Sequence, residues 1–244
     1  MLKSCIAILF LFFSFSTYAS KSLPASISIA APDISPLVYF NDNNEITGSL
    51  VEKLNAFSKR TGIQVSIEIM PWARALTQVK YGKHNALMPT LKSIERERFL
   101  IFPKQPLIKF HSSVLIQLKK QASEHDSITS LVEGKTLAKA RFMLLGDEMD
   151  KLFANNKQRV IEVNSVEVAI KMLALGRVDF VATDKGIAQS VIKKLSLNET
   201  FTFISINQEA SDSYLAFSQK FSDEYDIEAL MNAINDNKTL GDKN

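Results

Sequence analysis

Residues 82–102 read GKHNALMPTLKSIERERFLIF. Ala86-Leu87-Met88 is a short apolar run that suits a buried strand. It passes through Pro89 into Thr90-Leu91-Lys92-Ser93, and a Glu-Arg-Glu-Arg stretch follows before the chain turns apolar again. A hydroxyl and a guanidinium, Ser93 and Arg96, thus stand three residues apart just beyond a strand end. Ser93 fits the N-cap of a short helix. The same pair fits an anion site, because arginine presents a two-pronged donor that matches a carboxylate and the first N–H groups of a helix add further donors. The two readings are compatible. A structural salt bridge from Arg96 to Glu52 or Glu95 is the other use of that side chain.

Working outward, strands and helices alternate. SISIAA (26–31) alternates as a strand, and SLVEKLNAFSKRTG (49–62) spaces Leu50, Leu54 and Phe57 as one helix face that stops at Gly62. IQVSIEIM (63–70) is a β-branched strand, and PWARALTQVKYGK (71–83) is a helix with Pro71 in its first turn. NALMPTL (85–91), FHSSVLIQL (110–118) and YLAFS (214–218) read as strands. Residues 128–140 read as a helix, a glycine and a strand, and 165–184 as a helix, a stop at Gly176 and a strand ending in Asp184. DEYDIEALMNAINDN (223–237) reads as one amphipathic helix. Alternation of this kind predicts an α/β fold with largely parallel sheets. Ligands in such sheets sit beyond the carboxyl ends of strands, which draws attention to Thr90–Arg96 and to Asp184.

The chain's first twenty residues, MLKSCIAILFLFFSFSTYAS, carry Lys3, then an apolar stretch from Cys5 to Phe15, then small residues. About eleven apolar residues are too few for the ~20 of a membrane span, and Thr17-Tyr18-Ala19 fits a small-x-small cleavage rule, so residues 1–19 are predicted to be a cleaved secretory signal. That places the mature chain in the periplasm. Cys5 is the single cysteine and leaves with the signal, so no disulfide and no cysteine metal site is expected. The remaining length can bury a sizeable core. Lysines and arginines number 29 against 26 acids, for a formal net charge of +3. Loss of Lys3 lowers this by one. Nothing here forms the basic footprint of a nucleic-acid binder.

Several segments in order resemble the bacterial extracellular solute-binding proteins of family 3, the periplasmic binders of polar amino acids. SPLVYFNDNNEITGSLVEKLNAF is similar to that family's opening turn, acidic hairpin and helix. GKHNALMPTLKSIERERFLIFPKQPL resembles its central signature, and LALGRVDFVATD its second Gly-x-x-Asp-Ala element with the acid that ends it. The resemblance implies a two-lobed fold of the periplasmic-binding-protein type, with crossovers near Gln105–Phe110 and Asn207–Ser213. Lobe one would hold residues 24–108 and 213–244, lobe two 109–212. A small ligand would lie between them, with the lobes closing on it.

It also implies roles. Ser93 and Arg96 stand where the family holds a ligand carboxylate, and Asp184 where an acid meets a ligand amino group. Asp184 equally suits the cap of a helix beginning at Lys185. Arg141, at the end of the first lobe-two strand, is a second candidate contact or a surface arginine. Trp72, the single tryptophan, and Tyr39 would form cleft wall or core. Leu91 and Met143 complete the candidate ligand-binding residues. The sequence departs from the family pattern at Leu37, which replaces an aromatic that stacks on ligand, at Asn85, which replaces an acid, and at Pro89, Leu91, Phe142 and Leu144, which replace small or hydroxyl residues. Bulk in place of polar contacts predicts a pocket that is smaller, more apolar or altered in specificity.

The expected activity is therefore non-enzymatic delivery of a small solute, an amino acid or related carboxylate, to a membrane ABC transporter, by a monomer without a cofactor. A partner of a membrane sensor, or a binder that has lost its ligand, is the alternative. A cleft dehydratase would need a general acid, and nothing singles out Glu68, Glu148 or Glu167. His84, His111 and His125 show no metal-ligand spacing, and no Gly-x-Ser-x-Gly turn is present.

Overall fold

The strand Ser26–Ala31 lies between Gln64–Ile69 and Ala86–Leu91 and pairs parallel with both. In the computed structural model, which describes residues 21–109, 113–121, 127–141, 143, 145–154, 158–197, 200–206 and 211–236, these three strands start the first of two main sheets. The strand Asp212–Ser218 comes next, antiparallel to Ala86–Leu91, and Leu100–Ile101 pairs with its far side. The second sheet has the order Arg159–Val163, Thr136–Ala140, Phe180–Asp184, Ser113–Leu118, Phe201–Ser205. Its first three strands are parallel, while Ser113–Leu118 runs antiparallel to both neighbours. Both sheets are thus mixed, which corrects the expectation of largely parallel sheets. Each contains one strand that enters directly from the other lobe, and such a strand arrives from the opposite end.

The chain changes sheet between Lys109 and Ser113 and again between Ser205 and Asp212. Next to these changes the strands Ile108–Lys109 and Asp212–Ser218 pair antiparallel, Lys109 opposite Asp212. The strands that flank the two changes therefore run side by side. Phe110 and residues 207–210 lie outside the described residues. The C-terminal helix Ile227–Asn235 braces the first crossover: Glu228 accepts from the Lys104 N–H, Gln105 donates to Asn232, and Asn235 donates to the Pro106 carbonyl.

Helix Ser49–Thr61 buries Leu50, Val51, Leu54 and Phe57 against the first sheet. Each such side chain contributes about 1.5–3 kcal/mol. The helix ends because Gly62 adopts φ 78° and returns its N–H to the Ser58 carbonyl, a left-handed cap that glycine enters without a Cβ penalty. Gly48 at the other end has φ 124°, and a Cβ there would collide with the Leu37 carbonyl. Leu37 itself packs against the lobe-one core. In lobe two, Ala169, Ile170 and Leu173 of helix Val166–Ala174 pack with Ile187, Ala188 and Val191 of helix Lys185–Lys194 on the second sheet.

Two expected elements change, and two strands are new. Helix 71–83 is Trp72–Lys80, with Pro71 as its N-cap rather than inside it. The helix expected over 223–237 is two helices, Gln219–Glu224 and Ile227–Asn235, because Asp226 caps a fresh start by accepting from the Glu228 and Ala229 N–H groups. Strands Arg159–Val163 and Phe201–Ser205 were not foreseen. Among the described residues no helix is long and apolar enough to cross a membrane.

Candidate functional site

Six parallel strands, three per lobe, point their carboxyl ends at one cavity of about 610 Å³ between the lobes. Pro32–Ser35 follow Ser26–Ala31, Met70–Trp72 follow Gln64–Ile69, and Pro89–Leu91 end the third strand. From lobe two, Ala140 and Arg141, Asn164–Glu167, and Asp184 occupy the same positions on their strands. This is where the open α/β rule puts ligands.

Arg96 is only 7% exposed yet lies on the cavity wall. Its Nη1 donates to Thr90 Oγ1 and to the Leu91 carbonyl, each at 2.9 Å. The guanidinium lies 4.9 Å from the centre of the Trp72 ring, a contact that favours a desolvated cation. The chain folds this way locally because Ser93 starts a one-turn helix, Ile94–Glu97, by accepting from the Arg96 N–H. Cap and arginine are thus one device: the turn that Ser93 starts directs Arg96 back along the strand it has just left.

Asp184 ends the third lobe-two strand and is 6% exposed. Its Oδ1 accepts from the N–H groups of Gly186 and Ile187, at 2.7 and 3.0 Å, and so caps helix Lys185–Lys194. The carboxylate stands at the positive end of that helix while it lines the cavity. Arg141 is exposed and held through its backbone, whose N–H donates to the Val163 carbonyl at 2.8 Å.

At the rim the lobes meet. Ser35 Oγ of lobe one lies 2.9 Å from Ser190 Oγ on helix Lys185–Lys194, and Ile34 packs against the lobe-two core. Beside them Lys194 donates to Glu167 at 3.1 Å, and Lys171 to the same carboxylate at 2.6 Å. Hydrogen bonds from these two lysines hold the Glu167 carboxyl below the usual range, and Glu167 in turn raises Lys194. Partial burial pushes the Asp33 carboxyl up; Lys194 opposes this and Glu167 adds to it.

Of the eight candidate ligand-binding residues, Arg96, Asp184, Arg141, Trp72, Leu91 and Met143 line the cavity. Ser93 does not and serves as the cap. Tyr39 also does not; it pairs with Thr47 in a small hairpin. Leu37 is replaced on the wall by Ile34, three residues earlier. Asn85 binds Ser28, accepting from its backbone N–H at 2.8 Å and its hydroxyl at 3.0 Å. Pro89 and Leu91 are on the wall, while Phe142 and Leu144 lie outside the described residues. Thr90 lies in the stretch 90–96 that the strand-end rule singled out, though it was not named as a ligand contact; Asp33, Glu167 and Lys194 were not foreseen there. Among the described residues no group of three or more His, Cys, Asp or Glu is placed to hold a metal ion.

The L-cystine-binding protein TcyA of Bacillus subtilis (strain 168) is 24% identical to this chain over 183 residues, 75% of this chain and 65% of that relative, so the chain spans just under two thirds of its length. An ancestral arginine-binding protein bound to arginine superposes with a TM-score of 0.73 at 17% identity, covering 87% of this chain and 90% of that one. The VFT2 domain of Bordetella pertussis BvgS gives 0.70 at 16% identity over 86% of each chain. These structures share the two-lobed fold. Residues 27–207 match the profile of bacterial extracellular solute-binding proteins, family 3, a family of binding proteins rather than enzymes. The chain belongs to the bacterial extracellular solute-binding proteins of family 3.

Proposed function

We propose that the protein captures a small carboxylate solute, an amino acid or close relative, in the inter-lobe cleft and delivers it to an ABC transporter as a periplasmic monomer released from its signal peptide. The observation that carries the reading is Arg96, a buried guanidinium on the cavity wall held by Thr90, the Leu91 carbonyl and the Trp72 ring. A carboxylate meeting such a group gains a charge-assisted contact in a site from which water is excluded. Asp184, at the opposite wall, is the group to receive a ligand ammonium. The rim contact between Ser35 and Ser190 supplies part of the closed state that would retain the solute.

Thermal melts against amino acids, other small carboxylates, polyamines and sugars test this. A ligand at 100 times its Kd adds about 2.7 kcal/mol, and each kcal/mol raises Tm by roughly 2–4 °C at this chain length. Shifts confined to carboxylates support the reading, and shifts only with sugars or polyamines refute it. Delivery is tested separately, by uptake of the bound solute in cells with and without the gene. Binding without a change in uptake would favour a membrane sensor as partner.

A further inference from the structure

The cavity wall says more about the ligand than that it is a carboxylate. At about 610 Å³ the cavity lies well inside the range of roughly 300–1,000 Å³ that drug-sized ligands fill. Its polar side chains are largely engaged within the protein. Thr90 Oγ1 accepts from Arg96. Ser113 Oγ donates to the Leu145 carbonyl, and Ser165 Oγ accepts from the Val168 N–H. The Glu167 carboxylate is shared by Lys171 and Lys194. Lys194 also lines the cavity, so a cationic side chain at Glu167 stands beside a positive charge. The rest of the wall includes the polar Asp33, Ser35, Arg141, Asn164, Asp184 and Ser211, and a larger apolar surface that comes from both lobes: Ile34, Ile69, Trp72 and Leu91 from one, Met143 and Val191 from the other.

A ligand side chain that lays an amide or a guanidinium on the apolar part of this wall would bury it there without partners, and an unsatisfied buried polar group is costly. A bulky apolar side chain displaces water from the same surface and loses nothing. Indole, thioether and branched aliphatic groups accommodate a flat or flexible apolar body.

We infer that the cleft selects carboxylates with a bulky apolar or aromatic side chain, of the phenylalanine, methionine and leucine class, over those with a polar or cationic one. This rests on the carboxylate reading proposed above.

Calorimetric titration of the purified protein with L-phenylalanine, L-methionine, L-leucine, L-glutamine, L-arginine and 3-phenylpropionate tests it. The expected result is that at least one of the three apolar amino acids binds about tenfold or more tighter than glutamine and arginine, the discrimination that an apolar pocket supplies per mismatched group. If arginine or glutamine binds as tightly as the apolar set or tighter, the inference falls and the carboxylate reading stands. If none of the six binds, both fall. Weak but measurable 3-phenylpropionate binding supports the apolar subsite apart from the amino group, and none at any concentration where phenylalanine binds counts against it. The variants Met143→Glu and Ile69→Thr, checked first by melting, should each weaken phenylalanine binding, and Met143→Glu should narrow the gap to arginine. Unchanged selectivity in both folded variants overturns the assignment of the wall.

Discussion

Arg96 and Arg141 reach the same cavity from opposite lobes and arrive in opposite states. Arg96 is almost fully buried, ties one nitrogen to Thr90 and the Leu91 carbonyl, and lies over an indole ring. Arg141 is exposed, and what fixes it is the backbone bond to Val163. A side chain held before a ligand arrives loses little entropy on binding; a solvated one must be ordered at that moment, at about 0.5–1.5 kcal/mol. The same split runs through the rest of the cleft. Lobe one presents a largely apolar wall with one desolvated cation, Arg96, and the partly buried carboxyl of Asp33. Lobe two presents a strand-end acid fixed as a helix cap and a charged rim.

The largest effect expected is at Arg96. Arg96→Met keeps the stem against Trp72 and removes the charge; loss of a buried charge partner costs about 2–5 kcal/mol, so carboxylate affinity in calorimetry should fall at least ~30-fold. An unchanged Kd would make Arg96 purely structural and dissolve the contrast between the walls. Asp184 comes next, because it has two jobs that two variants separate. Asp184→Ala removes the cap of helix Lys185–Lys194 and should cost about 0.5–2 kcal/mol, read as a lowered Tm without ligand. Asp184→Asn keeps an acceptor for the Gly186 and Ile187 N–H groups, so Tm should hold while affinity for an amino acid drops. Equal affinity in the Asn variant and the wild type would leave Asp184 as a cap alone. Arg141→Met should change affinity by less than ~1 kcal/mol, as exposed ion pairs do; a loss matching that at Arg96 would erase the difference between them.

The smallest effect concerns pH. Lys171 and Lys194 hold the folded Glu167 carboxyl below its ordinary value. As pH falls the unfolded chain therefore takes up the proton first, so the stability from this cluster is present above the usual carboxylate range and lost as pH drops through the depressed value. Asp33 works the other way, since its folded carboxyl is raised and acid relieves its burial. Glu167→Gln should lower Tm modestly at pH 7, and the gap to wild type should narrow as pH falls below the ordinary carboxylate range and through the depressed value. A gap that does not change with pH would mean that charge is not what Glu167 contributes.

Much of the frame was legible because local pattern and final structure agree. Strand Ser26–Ala31 alternates, and helix Ser49–Thr61 ends at a glycine that only a left-handed cap explains. Strands Arg159–Val163 and Phe201–Ser205 escaped because RVIEV and FTFIS are five residues long and become strands by pairing with Thr136–Ala140 and Ser113–Leu118, neighbours that local sequence does not name. Strand direction was invisible for the same reason. At the site, Arg96 and Asp184 were readable because spacing places them just past strand ends. Asp33, Glu167 and Lys194 look like ordinary surface charges, and become cleft residues only because loop 32–35 comes down on helix Lys185–Lys194. Leu37 was read as standing where the family has a stacking aromatic, yet Ile34 lines the cavity and Leu37 packs in the core, since the turn between them decides which side chain faces which.

The strand Asp212–Ser218 sits inside the lobe-one sheet, between Ala86–Leu91 and Leu100–Ile101. Its two neighbours are made early in the chain and wait for it through more than a hundred residues of lobe two. Lobe two, by contrast, draws its whole sheet from one unbroken stretch. During synthesis lobe one is left with an open seam until residues 212–218 emerge, and pairings over such long separations form slowly. The first lobe to begin is therefore the last to close, and its sheet is sealed only after the whole of the second lobe's sheet has been made.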